Sequence, residues 1–321
     1  MSTVSTDLRV YRSMGLQVDR STGLQIDRST GLRVYKSTGR QVYGSTGRQG
    51  IKIKENFLRR ILEIKPRNDT TLNILLLGQT GCGKSSFVNA CLTALLQEGR
   101  VIKQAPVGPM TAESLTRRFI SYKLKIKTNG QDAELPIQLF DSPGLQSEEN
   151  KGVHTDDIKM MCRGFIKSNY LINSTNPIQS NNEMYRKDPE EKDKAHCIVY
   201  VFAADVKEFV HKKVEGQLKK IKNEFREDIP QVILLTKVDR LGIADITQMF
   251  RHKMVKEYCM KAAAILDLCE NDVLPQVSYS DEMVPSVYKD LVTLFNIKTI
   301  IERANDRVNG QIIPNDNSAN D

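Results

Sequence analysis

Eight residues beside the first long apolar run constrain this chain more than any other segment. The sequence GQTGCGKS, residues 78–85, follows the apolar run 72–77 and opens a helix-forming stretch over residues 85–97. The pattern GxxxxGK[ST] between a strand and a helix aims several backbone N–H groups at one point, where the helix N-terminus adds positive dipole density. Lys84 can then reach the β- and γ-phosphates of a nucleotide, and the Ser85 hydroxyl can bind Mg²⁺. The segment therefore predicts a nucleoside-triphosphate site.

A second motif follows the apolar run 137–140, at the predicted end of another strand. Its sequence, DSPG over residues 141–144, is by itself typical of a turn, because Asp and Pro initiate turns and Gly closes them. Downstream of a phosphate loop the same residues predict contacts with Mg²⁺ and the γ-phosphate. Asp141 can hold Mg²⁺ through water, and the Gly144 amide can face the γ-phosphate.

The third motif concerns the base. The sequence TKVD, residues 236–239, ends the apolar run 231–235 and looks like the [NT]KxD guanine reader of GTPases. A buried Asp239 carboxylate would accept hydrogen bonds from guanine N1–H and N2–H₂, whereas adenine has neither donor and would leave it unpaired. The stem of Lys237 can lie along the purine face. Three motifs at strand ends, in this order, favour GTP over ATP.

Further contacts are predicted from position. A threonine before the second strand should bind Mg²⁺ and the γ-phosphate in the GTP state only, and Thr116 is favoured over Thr111 by its separation from Asp141. Ser278 and Tyr279 are the candidates in the last base-contact loop. The predicted nucleotide contacts are Gly78, Thr80, Gly81, Cys82, Gly83, Lys84, Ser85, Ser86, Gly144, Thr236, Lys237, Asp239 and Ser278, and the predicted metal ligands are Ser85, Thr116, Thr111 and Asp141.

The residue after the DSPG motif, Leu145, predicts slow turnover. Ras-like GTPases carry a glutamine there that orients the attacking water, and a leucine side chain cannot form that hydrogen bond. The catalytic group is therefore unknown, with Gln146, Glu148, His154 or a residue of a second protomer or partner as the candidates. His154 is a neutral-pH proton acceptor, although a lone loop histidine is more often solvated surface. Whether the chain is an enzyme stays open at this point.

The N-terminal residues 1–50 are repetitive. Five octads run close to L-[RQ]-[VI]-[YD]-[RK]-S-T-G, a period too short for a helical solenoid. Each octad offers at most two branched aliphatic residues, so we predict a disordered basic arm, with stacked short strands as the alternative. The other predicted units are a lead-in helix within 51–70 that is amphipathic over 55–64, a nucleotide-binding domain over 71–308 with a polar insert at about 145–195, and a disordered tail over 309–321.

Alternating apolar runs and helical segments define the fold class. After the first strand and helix, the expected strands lie over 119–127, 137–140, 197–202, 231–235 and 274–277, and the expected helices over 206–226, 251–269 and 286–306. We expect the stretch 169–193 within the insert to be a mobile surface excursion. The alternation implies an α/β fold with a doubly wound, mainly parallel sheet, the G domain of a P-loop GTPase, with one strand antiparallel.

Composition limits which binding partners and which cellular compartment we expect. The net charge is +8, but residues 1–50 contain eight Lys or Arg and only three Asp, so most of the excess belongs to the arm. Because the chain has no RNA-binding motif or aromatic platform, it carries no strong nucleic-acid signal. Its six cysteines show no CxxC pairing, and no apolar run approaches the length of a transmembrane helix. We therefore expect reduced thiols and a cytoplasmic protein.

The extended motifs point to a family. The run ILLLGQTGCGKSSFVN over 74–89, with DDI at 156–158 and LLTKVD at 234–239, resembles the interferon-induced protein 44 family of GTP-binding proteins. The likeness covers roughly residues 57–305, and the octad arm lies outside it. The resemblance implies an interferon-linked, cytoplasmic antiviral or antiproliferative role, and a relationship to dynamin-like or septin-like GTPases.

The main hypothesis is a guanine-nucleotide switch that binds GTP or GDP with Mg²⁺. GTP would order the loop around Thr116 and the loop after Gly144, and hydrolysis would release both. The alternatives are a GTP-bound scaffold with negligible hydrolysis and an ATP-dependent P-loop phosphotransferase. The protein partner is unknown, and nucleotide-dependent self-association is one of the arrangements that the hypothesis leaves open.

Overall fold

The octad arm contributes three short strands to the part of the chain that the structure describes. These strands, β1 (Leu16–Asp19), β2 (Leu24–Asp27) and β3 (Leu32–Val34), pair antiparallel in that order. The computed structural model describes residues 16–19, 24–27, 32–34, 42–107, 117–128, 130–148, 151–206, 208–243 and 245–310. Residues 42–50 of the predicted disordered arm belong to a helix, and the residues of the arm outside this helix and the three strands, with residues 311–321 of the predicted tail, lie outside the described residues.

The apolar runs form the central sheet. In the described residues its strands are β4 (Leu72–Leu77), β5 (Ile120–Thr128), β6 (Gln131–Asp141), β7 (Cys197–Ala203), β8 (Gln231–Thr236) and β9 (Val273–Pro275). Their order across the sheet is β5-β6-β4-β7-β8-β9, and only the β5–β6 pair is antiparallel within it. Every residue of β4, β7 and β8 is buried, as strands covered on both faces require. The predicted mainly parallel sheet with one antiparallel strand is confirmed.

Helices cover both faces of this sheet. The helices of the described chain are α1 (Val42–Glu63), α2 (Lys84–Leu96), α3 (Thr155–Cys162), α4 (Lys212–Glu224), α5 (Lys253–Leu266) and α6 (Val287–Val308). Buried residues of α1, α2 and α6 share one core cluster, whereas those of α3, α4 and α5 share another. The two clusters lie on opposite faces because the side chains of a strand alternate between them. The doubly wound class is confirmed.

Two helix boundaries differ from the prediction. Helix α1 begins at Val42, well before residue 55. Glycine disfavours a helix in the sequence, but here tertiary packing requires it, because a Cβ on Gly50 would lie 2.8 Å from Val287 Cγ1. Helix α4 begins at Lys212 rather than 206, where His211 accepts a hydrogen bond from the Lys213 N–H and caps it. Histidine is not a preferred cap, so the sequence carries no strong signal for this start.

The lead-in helix packs on the nucleotide-binding domain. Leu58 and Ile61 of α1 are buried, and Phe57 meets Phe295 of α6 edge to face at 6.4 Å between ring centroids. Such an aromatic pair adds to the hydrophobic burial of the helix. None of the helices within the described ranges combines the length and apolar character that crossing a membrane requires.

The polar insert is tied to the sheet edge rather than projecting from it. The Phe119 N–H donates to the Tyr170 carbonyl oxygen over 2.9 Å, which covers the start of edge strand β5. Ile178 is buried, and its N–H donates to Asp157 Oδ1 over 2.8 Å. The expectation of a surface excursion over 169–193 is therefore wrong at these points. Its polar composition hid a few anchoring residues, because composition averages over a segment.

Candidate nucleotide site

The phosphate loop, residues 78–84, connects β4 to α2 at the carboxyl edge of the sheet. Lys84 is only 6% exposed, and its Nζ donates to the carbonyl oxygens of Gly78 and Gln79 over 3.0 and 3.3 Å. The side chain therefore folds back over the loop and stays inside it. Gly83 has φ +104°, and a Cβ there would lie 3.2 Å from Thr236 Oγ1, so this turn needs glycine.

A hydroxyl and a carboxylate meet beside this loop. Ser85 Oγ donates to Asp141 Oδ2 over 2.6 Å, which joins the start of α2 to the end of β6. Asp141 is fully buried, and its Oδ1 has no hydrogen-bond partner among the described residues. Burial raises the pKa of Asp141, while the Lys84 charge and the Ser85 hydrogen bond act in the opposite direction. An unsatisfied buried carboxylate oxygen beside a serine hydroxyl fits Mg²⁺, which prefers oxygen ligands.

The remaining predicted phosphate-loop residues lie in the same turn. A Cβ on Gly78 would lie 2.4 Å from the Val201 carbonyl oxygen and 2.8 Å from Cys82 Sγ, so β7 and the cysteine pack directly against it. Cys82 is buried, and burial raises the pKa of its thiol. The cysteine therefore fills the loop. Gly81 stands at the tip with φ +76°, and Ser86 lies in the first turn of α2.

The guanine loop, residues 236–241 after β8, is bonded directly to the phosphate loop. Thr236 Oγ1 lies 2.5 Å from the Cys82 carbonyl oxygen and 3.0 Å from that of Phe202. This threonine therefore holds the predicted base reader next to the predicted phosphate cradle. The two parts of the site, 154 residues apart in sequence, form one continuous edge.

Asp239 differs from its prediction. The sequence argument treats it as a buried carboxylate, but its side chain is exposed in the structure. It lies in a short 3-10 helix, Val238–Leu241, in which Val238 takes the buried position. The desolvation that would penalise adenine therefore arises only when a base covers Asp239.

Sequence reasoning missed Asp205. This residue follows β7, and its Oδ2 accepts from Lys237 Nζ over 3.2 Å and pairs with Arg240. Lys237 itself has φ +57°, so the contact holds a backbone turn that a lysine rarely adopts. A signal did exist. Ala203 and Thr236 pair in parallel, so residues just beyond β7 and β8 must meet.

The second base loop, residues 276–280, follows β9 at the same edge. The Gln276 N–H donates to the Leu235 carbonyl oxygen over 2.8 Å, which brings this loop beside the guanine loop. Ser278 is half-buried, and its Oγ has no hydrogen-bond partner among the described residues. Tyr279 is buried and bonded to α6 through its hydroxyl. The structure thus places the predicted Ser278 next to the predicted Asp239 loop.

The segment after the DSPG motif is paired with the phosphate loop. The Leu145 N–H donates to the Gly78 carbonyl oxygen over 3.1 Å, and the Thr80 N–H donates back to the Leu145 carbonyl oxygen over 3.2 Å. A Cβ on Gly144 would lie 2.3 Å from Thr80 Oγ1, so glycine alone permits this approach. The Leu145 side chain is buried in the core and carries no polar group toward the phosphates.

The three candidate catalytic residues differ in what they contact. Gln146 Nε2 lies 3.3 Å from Thr80 Oγ1, on the phosphate loop. His154 instead caps α3 by accepting the Asp156 N–H, and Glu148 pairs with Lys151 over 2.6 Å. Gln146 is thus the candidate that the fold brings to the site. The two candidate switch threonines, Thr111 and Thr116, lie outside the described residues.

The fold and this edge define a class of protein. Residues 73–237 match the family described as 50S ribosome-binding GTPase, a match that spans the phosphate loop and the DSPG motif and ends within the TKVD motif, after Lys237. The chain belongs to this GTPase family. Its fold and the order of its three motifs agree with that membership.

Particular relatives are also found. The chain is 31% identical over 260 residues to Interferon-induced protein 44 of Mus musculus, which covers 79% of this chain and 60% of that protein. It is 29% identical over 265 residues to Interferon-induced protein 44-like of Homo sapiens, which covers 80% and 58%. The predicted resemblance is confirmed, and the chain spans about three fifths of the length of these curated relatives.

The chain was also compared with solved structures. The structure of Toc33 from Arabidopsis thaliana in complex with GDP and Mg²⁺ aligns with a TM-score of 0.42 at 14% sequence identity. The alignment covers 82% of this chain and 93% of that one.

Proposed function

We propose that this protein binds GTP and GDP together with Mg²⁺ at the carboxyl edge of its sheet. The observation that carries the proposal is the Thr236–Cys82 hydrogen bond, which joins a guanine-type loop to a phosphate loop. In this site Lys84 and the loop amides bind the phosphates. Ser85 and Asp141 bind Mg²⁺, which neutralises phosphate charge when bound.

Base selection falls to Asp239 on one side and the second base loop on the other. Guanine presents two adjacent donors, N1–H and N2–H₂, to a carboxylate. Adenine has neither of these two donors, so an Asp239 covered by adenine stays unpaired. Competition of GTP and ATP against a fluorescent GDP analogue tests this. We expect GTP to win by at least about a hundredfold, because a site built to hydrogen-bond its ligand rejects an analogue that lacks the donors. Equal competition by ATP would leave a P-loop protein without base selectivity, such as a phosphotransferase.

For the isolated protein we infer slow GTP hydrolysis. The buried Leu145 offers no polar group to a water molecule, and the next residue, Gln146, contacts Thr80 of the phosphate loop through its amide. A switch with slow turnover and a GTP-bound scaffold with negligible turnover both agree with this arrangement. Single-turnover phosphate release separates them. A rate that rises with protein concentration would indicate that self-association supplies the missing group, and Gln146→Ala would test the internal candidate.

An interferon-linked role in innate immunity is the cellular part of the proposal. It is supported by the similarity to the interferon-induced protein 44 relatives, which this chain matches over part of their length. We further propose a cytoplasmic location, which agrees with six free thiols. Induction of the transcript by interferon and the position of the tagged protein in fixed cells test the two statements separately.

A further inference from the structure

Two neighbouring residues of α6 hold the second base loop. Lys289 Nζ donates to the Ser278 carbonyl oxygen over 3.1 Å and lies 5.4 Å from the centroid of the Tyr279 ring. The next residue, Asp290, accepts a hydrogen bond from the Tyr279 hydroxyl over 2.7 Å. That hydroxyl also accepts the Ser286 N–H over 3.0 Å. The side chains of Lys289 and Asp290 therefore fasten the loop to the start of α6, in addition to the backbone bond between Gln276 and Leu235.

Asp290 is also the partner of helix α1. Lys54 Nζ lies 2.6 Å from Asp290 Oδ2, and the two side chains are 13% and 2% exposed. One carboxylate thus serves two elements, with Oδ2 on α1 and Oδ1 on the second base loop. Burial, and after it the Asp290 hydrogen bond, raises the pKa of Tyr279, so the hydroxyl keeps its proton and remains the donor.

Because the contact between Lys54 and Asp290 is buried, its loss should be costly. A carboxylate as enclosed as Asp290 is costly unless its charge is paired and its oxygens are hydrogen-bonded. Removing Lys54 therefore leaves Asp290 short of a partner and changes how it holds Tyr279. Since Ser278 directly precedes Tyr279, a shift of the tyrosine moves the residue that faces the base.

We propose that Lys54, Asp290 and Tyr279 form a relay through which helix α1 positions the second base loop for a guanine nucleotide. The relay rests on the proposed function, because it needs that loop to contact the base. Its members are positioning residues that act through Ser278 and its neighbours. It also makes α1, the helix that continues the octad arm, part of the nucleotide site.

The experiment measures the dissociation constants of GDP and of tripolyphosphate for wild type, Tyr279→Phe, Lys54→Met and the double variant, all in the full chain. We expect each single variant to weaken GDP about tenfold, which corresponds to the loss of one charge-assisted hydrogen bond. The double variant should be no weaker than the worse single, because both break the same chain of contacts. Tripolyphosphate has no base, so its affinity should stay unchanged.

Lys298→Met is the matched control. This lysine lies on α6, the helix of Asp290, has 14% side-chain exposure and pairs with Glu302 over 2.5 Å, and the contacts of the described residues do not join it to the second base loop. We expect it to bind GDP as wild type does. Because Lys54→Met leaves a buried carboxylate unpaired, Tyr279→Phe, which removes one hydroxyl, decides the matter if the lysine variant is unfolded by circular dichroism.

Several outcomes would overturn the relay. They are a wild-type GDP affinity in a folded Tyr279→Phe, an equal loss for tripolyphosphate, additive losses in the double variant, or an equal loss in Lys298→Met. The proposed function fails by a different result, namely a wild-type protein that does not prefer GDP to ADP. The two failures are therefore distinguishable before any variant is compared.

Discussion

The phosphate half and the base half of the site are built differently. In the phosphate half, Lys84 and Asp141 are buried, and each is bonded to a residue of the GQTGCGKS motif. In the base half, Asp239 is exposed, and its loop is held by Asp205, which no motif contains. The second base loop is likewise held from outside, by α6 and α1.

The difference lies in how far the supporting contacts reach along the chain. A contiguous motif can shape the phosphate loop because glycine torsions, a strand end and a helix start are local properties. A base platform must bring together the ends of several strands, so its rigidity depends on contacts between distant segments. Affinity is therefore expected to depend on few residues in one half and on a dispersed set in the other.

The largest effect is expected from Lys84→Ala. Removing the ammonium that lies inside the phosphate loop should weaken GTP at least about a thousandfold, because several charge-assisted phosphate contacts are lost together. Isothermal calorimetry measures the loss. Lys103→Ala, which removes an exposed lysine outside the motif, is the control. Unchanged GTP affinity in Lys84→Ala would contradict the phosphate-loop assignment.

The next effect concerns the base itself. Asp239→Asn should weaken GTP about a hundredfold and favour xanthosine triphosphate, because an amide matches the exchanged donor and acceptor of xanthine. Competition assays with both nucleotides give the ratio. Asp132→Asn, at an exposed position near the start of β6, should leave it as in wild type. If GTP still wins by its original margin, another residue reads the base.

A smaller effect tests support from outside the motif. Asp205→Asn should weaken GTP about tenfold, because Lys237 and Arg240 lose the charge that holds them, while tripolyphosphate binding stays intact. Combining it with Arg240→Ala should add little. Equal losses for GTP and tripolyphosphate would show that both halves share one support, and that the base half is not held separately from the phosphate half.

At the opposite edge of the sheet, protonation of His196 should lower the stability and leave nucleotide binding unchanged. There His196 Nδ1 accepts the Asn73 N–H over 2.9 Å, and burial, followed by the nearby Arg307 charge, lowers the pKa of His196 from 6.5 to about 4. Between these values the unfolded chain binds more protons than the folded one. The free energy of unfolding should therefore fall as pH drops, by about 3 kcal/mol over the whole window.

Urea unfolding at a series of pH values measures this slope. His196→Asn removes the titrating ring and retains an acceptor for the Asn73 N–H, so its unfolding free energy should change less between pH 6.5 and 4. An identical slope in the variant would assign the pH dependence to other groups. GDP affinity at pH 7 should be the same in both proteins.

Most of the fold and the phosphate half could be predicted because their signals are local. The apolar runs became strands close to the expected bounds, except that β6 begins at Gln131 and not at residue 137, and the three motifs lie together at one edge. The errors have one physical origin. The early start of α1, the anchored insert and the exposed Asp239 each depend on what a segment packs against, and a linear pattern does not carry that information.

The sequence by itself determined the phosphate loop, the alternation of strands and helices, and the family. Those follow from glycine positions, hydrophobic periodicity and contiguous motifs, which act over a few residues. Only the tertiary structure decided that Asp205 holds Lys237 and that Asp290 joins Lys54 to Tyr279. Residues more than 200 positions apart, such as Lys54 and Asp290, become neighbours only when helix packing closes the chain between them.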